Sequence, residues 1–343
     1  MMTNGQDRVR VAVVGAGQWG KNHVRTFSQL RESQLVTVCD LEEARLASVR
    51  SQYPGVKTTT RFEEVVQDAS VEAVVIASFA SQHFDQARRA LEAGKHVLVE
   101  KPMTLDTGDA EALARLATTT GRCLLVGHLL LYHPAVVKMQ QLVESEDIGE
   151  LFYLYSQRLN LGQVRKDENA LWSFGPHDVA VALYLFGCEP DAVTAKGSAF
   201  LQKGIVDVVF VTLHFPQRRM AHIHLSWLDP HKIRRTTLVG SRKMVVFDDM
   251  EPTDKVRIYD KGVDIRREPM SYEDYLHVRF GDILIPHIGS AEPLRQECQH
   301  FLDCVRGRTM PRSGGPHGLQ VIRVLAAAQQ SLELDGVPVS VKG

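Results

Sequence analysis

Gly15-Ala16-Gly17-Gln18-Trp19-Gly20 follows directly on the apolar run Val-Arg-Val-Ala-Val-Val at 9–14 and opens a helical stretch. No other feature of the chain narrows its fold so far. In a strand–turn–helix unit the three glycines have separate tasks: Gly15 makes the tight turn, Gly17 lets a pyrophosphate approach the backbone, and Gly20 permits close helix–strand packing. The anion then sits at a helix N-terminus, where free N–H groups and the helix dipole favour negative charge. Asp40 closes the second apolar run, 20 residues beyond Gly20 (40 − 20), where a carboxylate takes both ribose hydroxyls of a dinucleotide. Leu41 follows, where an NADP site tends to carry Arg, and Asp40 would repel a 2′-phosphate, so the expected cofactor is NAD.

The rest of the N-terminal third continues this grammar. Strand-like runs lie at 35–40, 71–79, 96–100 and 123–127, with a weaker one at 57–60; amphipathic stretches at 83–93 and 109–120 end at Gly94 and Gly121. Apolar strands separated by helices of this length predict a parallel sheet of βαβ units. After Gly127 the pattern changes to a helix at 134–144, a strand at 151–160, a helix beginning near Pro176, and then strand after strand to 261. The alternation His222-Ile223-His224-Leu225 shows one covered face. The expected fold is therefore α/β: an N-terminal Rossmann dinucleotide-binding domain (1–127) and a C-terminal α+β domain (128–343) with a large, mostly antiparallel open sheet. Helices expected at 293–305 and 318–332 close the chain, one of them packing back on the Rossmann domain.

With 40 Lys+Arg against 41 Asp+Glu, the net charge of −1 argues against nucleic acid or an anionic membrane as partner. The five cysteines, Cys39, Cys123, Cys188, Cys298 and Cys304, form no metal-ligand array. Neither a secretory leader nor a membrane-spanning run is legible, and a reduced, cytoplasmic setting is expected.

Glu100-Lys101-Pro102 ends the fifth strand, and ligands of open parallel sheets bind just outside such ends. Pro102 restricts Lys101 to extended conformations, which aims its ammonium in a defined direction; the bland alternative is a surface Glu-Lys pair before a turn. The run Gly94-Lys95-His96-Val97-Leu98-Val99-Glu100-Lys101-Pro102, downstream of the glycine motif, resembles the Gfo/Idh/MocA oxidoreductases. That resemblance implies an NAD-dependent sugar dehydrogenase in which Lys101 is catalytic and also touches cofactor and substrate. It implies that Gln18, Trp19, Ser78, Phe79, His83 and Glu100 join Gly15, Gly17, Gly20 and Asp40 around the dinucleotide. His83 is equally readable as a core or helix-start histidine.

A second constellation is Trp172-Ser173-Phe174-Gly175-Pro176-His177-Asp178. Pro176 suits the first turn of a helix, which places His177 at its N-terminal end. An imidazole with an ordinary pKa near 6.5 suits a general base at neutral pH, and the resemblance assigns His177 that position. Many family members carry Asp where this chain has Ser173; a hydroxyl can hydrogen-bond a sugar but cannot accept its proton as a carboxylate does. Asp178 is adjacent but points elsewhere on the helix, and reads as a carboxylate serving the helix dipole.

The loop from Arg158 to Lys166 resembles the branch acting on UDP-N-acetylglucosamine at its 3-hydroxyl, as do Gly127-His128, Tyr132-His133-Pro134, Ser226-Trp227-Leu228, Ile285-Pro286 and Glu292-Pro293-Leu294. Arg158, Arg165 and Lys166 suit a diphosphate; Asn160 and Gln163 suit sugar or acetamido groups; Trp172 and Ser173 complete the expected substrate site. The alternative is a solvated basic loop. A further cluster, Lys232, Arg234, Arg235, Arg242 and Lys243, is expected on two neighbouring strands, as a second anion site, an exposed rim or a subunit contact. The leading reading is oxidation of UDP-N-acetylglucosamine to its 3-keto sugar for amino-sugar synthesis in lipid A or surface polysaccharide, with a partner aminotransferase. A related UDP-hexuronic acid or a polyol such as an inositol is the rival substrate, and a non-catalytic NAD-binding sensor the rival class. No metal is expected; a homodimer or homotetramer through the C-terminal sheet is.

Overall fold

The computed structural model describes residues 8–162, 164–166, 168–265 and 276–342. The N-terminal part alternates β1 (Val9–Val14), α1 (Gly20–Gln29), β2 (Ser33–Cys39), α2 (Glu43–Gln52), β3 (Lys57–Thr59), α3 (Phe62–Gln67), β4 (Ala73–Ile76), α4 (Ala80–Glu92), β5 (His96–Val99), α5 (Thr107–Thr120) and β6 (Leu124–Val126). All six strands run parallel in the order β3-β2-β1-β4-β5-β6. The order reverses between β1 and β4, which opens a crevice at the C-terminal strand ends beside the Gly15 turn. Helices cover both faces, so β4 is a fully buried apolar run and β5 is apolar and buried after His96.

From His133 onward the chain forms α6 (Pro134–Glu144), β7 (Leu151–Leu159), α7 (Ala170–Phe186), β8 (Ala192–Ser198), β9 (Val208–His214), β10 (Met220–Ser226), β11 (Ile233–Gly240), β12 (Met244–Asp248), β13 (Val256–Ile265) and β14 (Leu276–Leu284). With β15 (Val339–Ser340) they make a nine-stranded sheet in the order β14-β13-β12-β11-β7-β10-β9-β8-β15. β7 and β10 are parallel and every other neighbouring pair is antiparallel, so the expected open, mostly antiparallel sheet is present.

Two helices, α8 (Pro293–Val305) and α9 (Gly315–Glu333), lie between β14 and β15. The chain divides into two compact units, 1–132 with 291–322, and 133–290 with 323–343. Thus the division is not a single cut near Gly127: α8 belongs with the parallel sheet. Its Leu294, Cys298, Phe301 and Leu302 are buried with Val11, Val13, Val24, Phe27 and Leu98, and Phe301 meets Phe27 edge-on at 6.4 Å. Truncating so buried a ring as Phe301 to Ala costs about 3–5 kcal/mol. In the second unit α7 packs on β7, β9 and β10, and Leu325 of α9 reaches the backbone of Gly175.

The opposite face of the nine-stranded sheet carries an apolar row. Registered neighbours share a face, and the register runs Met220, Tyr153, Val239, Met244, Tyr259, Ile283 across six strands. Met220, Tyr153 and Ile283 remain substantially exposed. Beside this row Phe210 stacks on His224 at 4.2 Å.

Candidate active site

In the first unit the glycine loop is built as its spacing requires. Gly15 has φ +89°, and a Cβ there would lie 2.6 Å from the carbonyl oxygen of Ala77; one on Gly20 would lie 1.7 Å from that of Gly15. Only glycine fits either position. Above Gly17 the space is open, the nearest atom to a Cβ being Arg45 Nη1 at 3.6 Å, and no carboxylate stands in the first turn of α1. Asp40 follows β2 with its carboxylate buried: Oδ2 accepts the Ala16 N–H at 2.6 Å and Oδ1 the Glu42 N–H at 2.8 Å, with Arg45 Nη1 at 3.4 Å from Oδ2. The Ala16 bond ties the loop to the end of β2, and Oδ1, with a single donor, keeps a lone pair for a ribose hydroxyl. Open approach at Gly17 and an oriented carboxylate fit a dinucleotide.

The loop after β4 carries Ser78 and Phe79. Phe79 is largely exposed, while the Ser78 hydroxyl donates to Gln86 Oε1 at 2.7 Å. His83 corrects the expectation that it lines the cofactor. Its ring is fully buried, with Nδ1 2.8 Å from the carbonyl of Pro102 and Nε2 3.2 Å from that of Ser78. Burial lowers its pKa, so it stays neutral with a single ring proton, which it donates to one of these two carbonyls.

Glu100 Oε1 is 2.8 Å from His23 Nε2, and Oε2 accepts the Lys101 N–H at 3.2 Å. Burial works against its charge, yet the His23 hydrogen bond and the Lys101 ammonium hold the carboxyl below its ordinary value. Lys101 thus stands beside an ionised carboxylate at the C-terminal end of β5. The sequence did not point to two further neighbours. His128 and His317 meet Nδ1 to Nδ1 at 3.2 Å, and burial, His317 and Lys101 push the pKa of His128 far down. An uncharged His128 leaves the local positive charge to Lys101.

His177 belongs to the second unit, and its helix begins earlier than Pro176 suggests. Asn169 caps α7 by accepting the Trp172 N–H at 3.1 Å, and its amide donates to Gln329 Oε1 at 3.0 Å. Pro176 therefore lies inside the helix. His177 sits mid-helix, away from the free N-terminal amides, with buried Ser173 one turn before it on the same face. Trp172 is half-buried, and Phe174 packs edge-on to Trp227 at 6.3 Å.

Asp178 points away from His177, as expected, but does not serve as a helix-dipole carboxylate. It accepts Arg158 Nε at 2.5 Å and Nη2 at 3.4 Å, together with the Ser156 hydroxyl. Arg158 is accordingly committed to a buried pair, which corrects its assignment as a diphosphate ligand. Arg165 stands 3.5 Å from Glu168, and its carbonyl accepts from Gln202 at 2.8 Å. Asn160 ends β7, its N–H donating to the carbonyl of Ser226 at 3.0 Å; Lys166 is exposed, and Gln163 lies outside the described residues. The second basic cluster is a charged rim. Arg234 and Arg235 on β11 face Asp249 at 3.7 Å and Asp248 at 2.6 Å, and Lys243 meets Asp147 at 2.6 Å. Arg242 and Lys243 occupy the β11–β12 turn and Lys232 precedes β11, so the five do not all lie on two strands.

Among the described residues no group of His, Cys, Asp and Glu is arranged to hold a metal ion, and no helix is long and apolar enough to cross a membrane. Residues 9–128 match the family model described as oxidoreductase family, NAD-binding Rossmann fold, and residues 136–246 match the GFO/IDH/MocA C-terminal domain. The UDP-N-acetylglucosamine 3-dehydrogenase of Acidithiobacillus ferrooxidans is 30% identical over 261 residues, 74% of this chain and 78% of that protein. Its solved structure superposes with a TM-score of 0.82 at 25% identity, covering 96% of this chain and 99% of that one. The NAD(+)-dependent scyllo-inositol 2-dehydrogenase of Bacillus subtilis is 24% identical over 319 residues, 89% of each chain. A solved Magnetospirillum magnetotacticum structure is 32% identical with a TM-score of 0.80, covering 93% of this chain and 99% of that one.

Proposed function

We propose, from the premise that this chain belongs to the Gfo/Idh/MocA family of NAD-dependent oxidoreductases, that it oxidises the 3-hydroxyl of UDP-N-acetylglucosamine to the 3-keto sugar. The likeness to the Acidithiobacillus enzyme of that name carries the choice of substrate. Bound NAD supplies the acceptor for the electron pair leaving the carbinol carbon. The residues for the dinucleotide are the amides of the Gly15–Gly20 loop for the pyrophosphate and Asp40 for the ribose.

On this reading His177 takes the proton of the substrate hydroxyl, a task suited to an imidazole at neutral pH. Lys101, held by its neighbours at the end of β5, faces the developing alkoxide; charge aimed where charge arises in the transition state lowers the barrier. Ser173, one helical turn from His177, donates or accepts a hydrogen bond on the sugar and leaves proton removal to the histidine. Asn160, Arg165, Lys166 and Trp172 serve the remainder of the substrate.

A second reading rests on one specific observation. Arg158 is bound to Asp178, which removes a cation from the diphosphate site and favours a smaller, uncharged polyol such as an inositol. Incubating the protein with NAD and either UDP-N-acetylglucosamine, the corresponding UDP-hexuronic acid or an inositol, while following the reduced cofactor, separates them. The proposal expects turnover with UDP-N-acetylglucosamine; turnover with inositol alone replaces it, and turnover with none of the three supports a binding protein instead.

The apolar row from Met220 to Ile283 supports a second copy of the chain as its cover, in a homodimer or as half of a homotetramer. The 3-keto product suits consumption by an aminotransferase.

A further inference from the structure

Asp40 does not stand alone at the end of β2. Arg45, in the first turn of α2, lays a half-exposed guanidinium beside it: Nη1 is 3.4 Å from Asp40 Oδ2, and Nη2 is 2.7 Å from Glu42 Oε1, three residues earlier. The same Nη1 lies 3.6 Å from the point that a Cβ on Gly17 would occupy. Arg45 therefore spans the opening between the glycine loop and the carboxylate assigned to the ribose. Leu41, at the position where an NADP site tends to carry Arg, is exposed and apolar. A cation reaches the same carboxylate from Arg45 instead, and none of the cofactor assignments uses it.

We propose that Arg45 is the specificity-determining residue for the 2′ position of the cofactor: it is a ligand for a 2′-phosphate already in place, so that the chain binds NADP as well as NAD, and Asp40 keeps NAD the preferred of the two. The inference rests on the dinucleotide site assigned to the Gly15–Gly20 loop and Asp40.

The lone pairs of Asp40 carry the argument. Oδ2 accepts the Ala16 N–H at 2.6 Å and faces Arg45, whereas Oδ1 takes only the Glu42 N–H. A ribose that engages both oxygens therefore displaces Arg45 from Oδ2. The contact given up is the weaker of its two, since 3.4 Å exceeds the span of about 2.7–3.2 Å for ordinary N–H···O bonds. The shorter pair with Glu42 lies within one turn of the chain and keeps the freed guanidinium close to the ribose. Whatever the 2′-oxygen carries then meets both Asp40 and Arg45. A hydroxyl donates to the carboxylate and leaves the guanidinium idle. A phosphate is repelled by Asp40, but its oxygens match the planar fork of guanidinium N–H donors. Opposite charges thus act on one substituent, and the choice between the two cofactors is graded rather than absolute.

Isothermal titration of the full chain with NAD and with NADP tests this with no sugar substrate present. Wild type should bind both, NAD more tightly. Asp40→Asn, whose side-chain carbonyl still accepts the Ala16 N–H, should bind NADP about tenfold more tightly than wild type and NAD about tenfold more weakly, the scale of one hydrogen bond to a charged group. Arg45→Met should weaken NADP about tenfold while changing NAD by less than about threefold, as at an ordinary surface position. Combining the two substitutions should return NADP affinity to within about threefold of wild type. An equal loss of NAD and NADP affinity in Arg45→Met assigns Arg45 to a part that both cofactors share and overturns the proposal. So does a gain in NADP affinity that persists undiminished in the double variant, because it then comes from removing repulsion alone. Wild-type protein that binds NAD and shows no NADP binding overturns it without any variant, and binding of neither dinucleotide overturns the cofactor site itself and the proposal with it.

Discussion

Replacing Arg158 separates a structural role from a substrate-binding one. In Arg158→Met the carboxylate of Asp178 keeps the Ser156 hydroxyl but loses both guanidinium contacts, in a site where the two side chains are 12% and 4% exposed. Leaving one partner of a buried ion pair uncompensated costs about 3–5 kcal/mol. Divided by a urea slope of about 2 kcal/mol/M, that loss lowers the unfolding midpoint by roughly 2 M. Adding Asp178→Asn removes the stranded charge and should recover about 2 kcal/mol, a coupling that independent sites do not show. Urea unfolding of wild type, both single variants and the double variant, followed by circular dichroism, supplies all four corners of the cycle. If Arg158→Met unfolds within about 0.5 kcal/mol of wild type while the KM for a nucleotide sugar rises tenfold, Arg158 is a phosphate ligand and the structural assignment is wrong.

Further perturbations test other parts of the account. Gly15→Ala, which must place a methyl 2.6 Å from the Ala77 carbonyl at φ +89°, should abolish NAD binding measured by titration of Trp19 fluorescence; unchanged affinity would show that the loop does not approach the cofactor. Glu297 is fully buried, both carboxylate oxygens lack a hydrogen-bond partner, and burial and then Glu100 raise its pKa well above 4.5. Since the folded pKa is raised, Glu297 holds its proton in the folded protein, and stability falls as pH climbs from about 4.5 toward the folded value, by up to about 1.4 kcal/mol per unit. Glu297→Met should flatten that slope in pH-dependent melting, and an unaltered slope would count against it. Tyr153→Asp, in the middle of the apolar row, should convert the oligomer to a monomer in sedimentation; a wild-type protein that is already monomeric contradicts the proposed interface. Lys101→Ala and His177→Ala should each lower turnover about 10²–10⁴-fold with NAD affinity preserved, and retained turnover in both removes them from the chemistry.

Local spacing was legible where it decides structure by itself. β1 spans the predicted residues, and α6 and α8 begin and end as expected because Pro134 and Pro293 mark their first turns. The Gly15–Gly20 loop and Asp40 are also short-range features, a turn and the end of the adjacent strand. The start of α7 was misread because Gly175-Pro176 resembles a helix entrance, while the effective cap, Asn169, lies six residues earlier (175 − 169). β8 and β14 escaped notice because small and polar residues such as Lys196, Gly197, Arg279 and Gly281 interrupt their apolar pattern. Partnerships across the fold were beyond reach: Arg158 with Asp178 joins a strand to a helix, and His23 with Glu100 joins residues 77 apart. A basic residue in a loop-like stretch reads as free until its counter-ion is placed.

The most direct measurement uses UDP-N-acetylglucosamine carrying deuterium at C3 of the sugar, incubated with the protein and NAD. The account predicts that the reduced cofactor gains the label and that the sugar becomes the 3-ketone. Reduced cofactor without the label, or none from this substrate while an inositol reduces NAD readily, contradicts it.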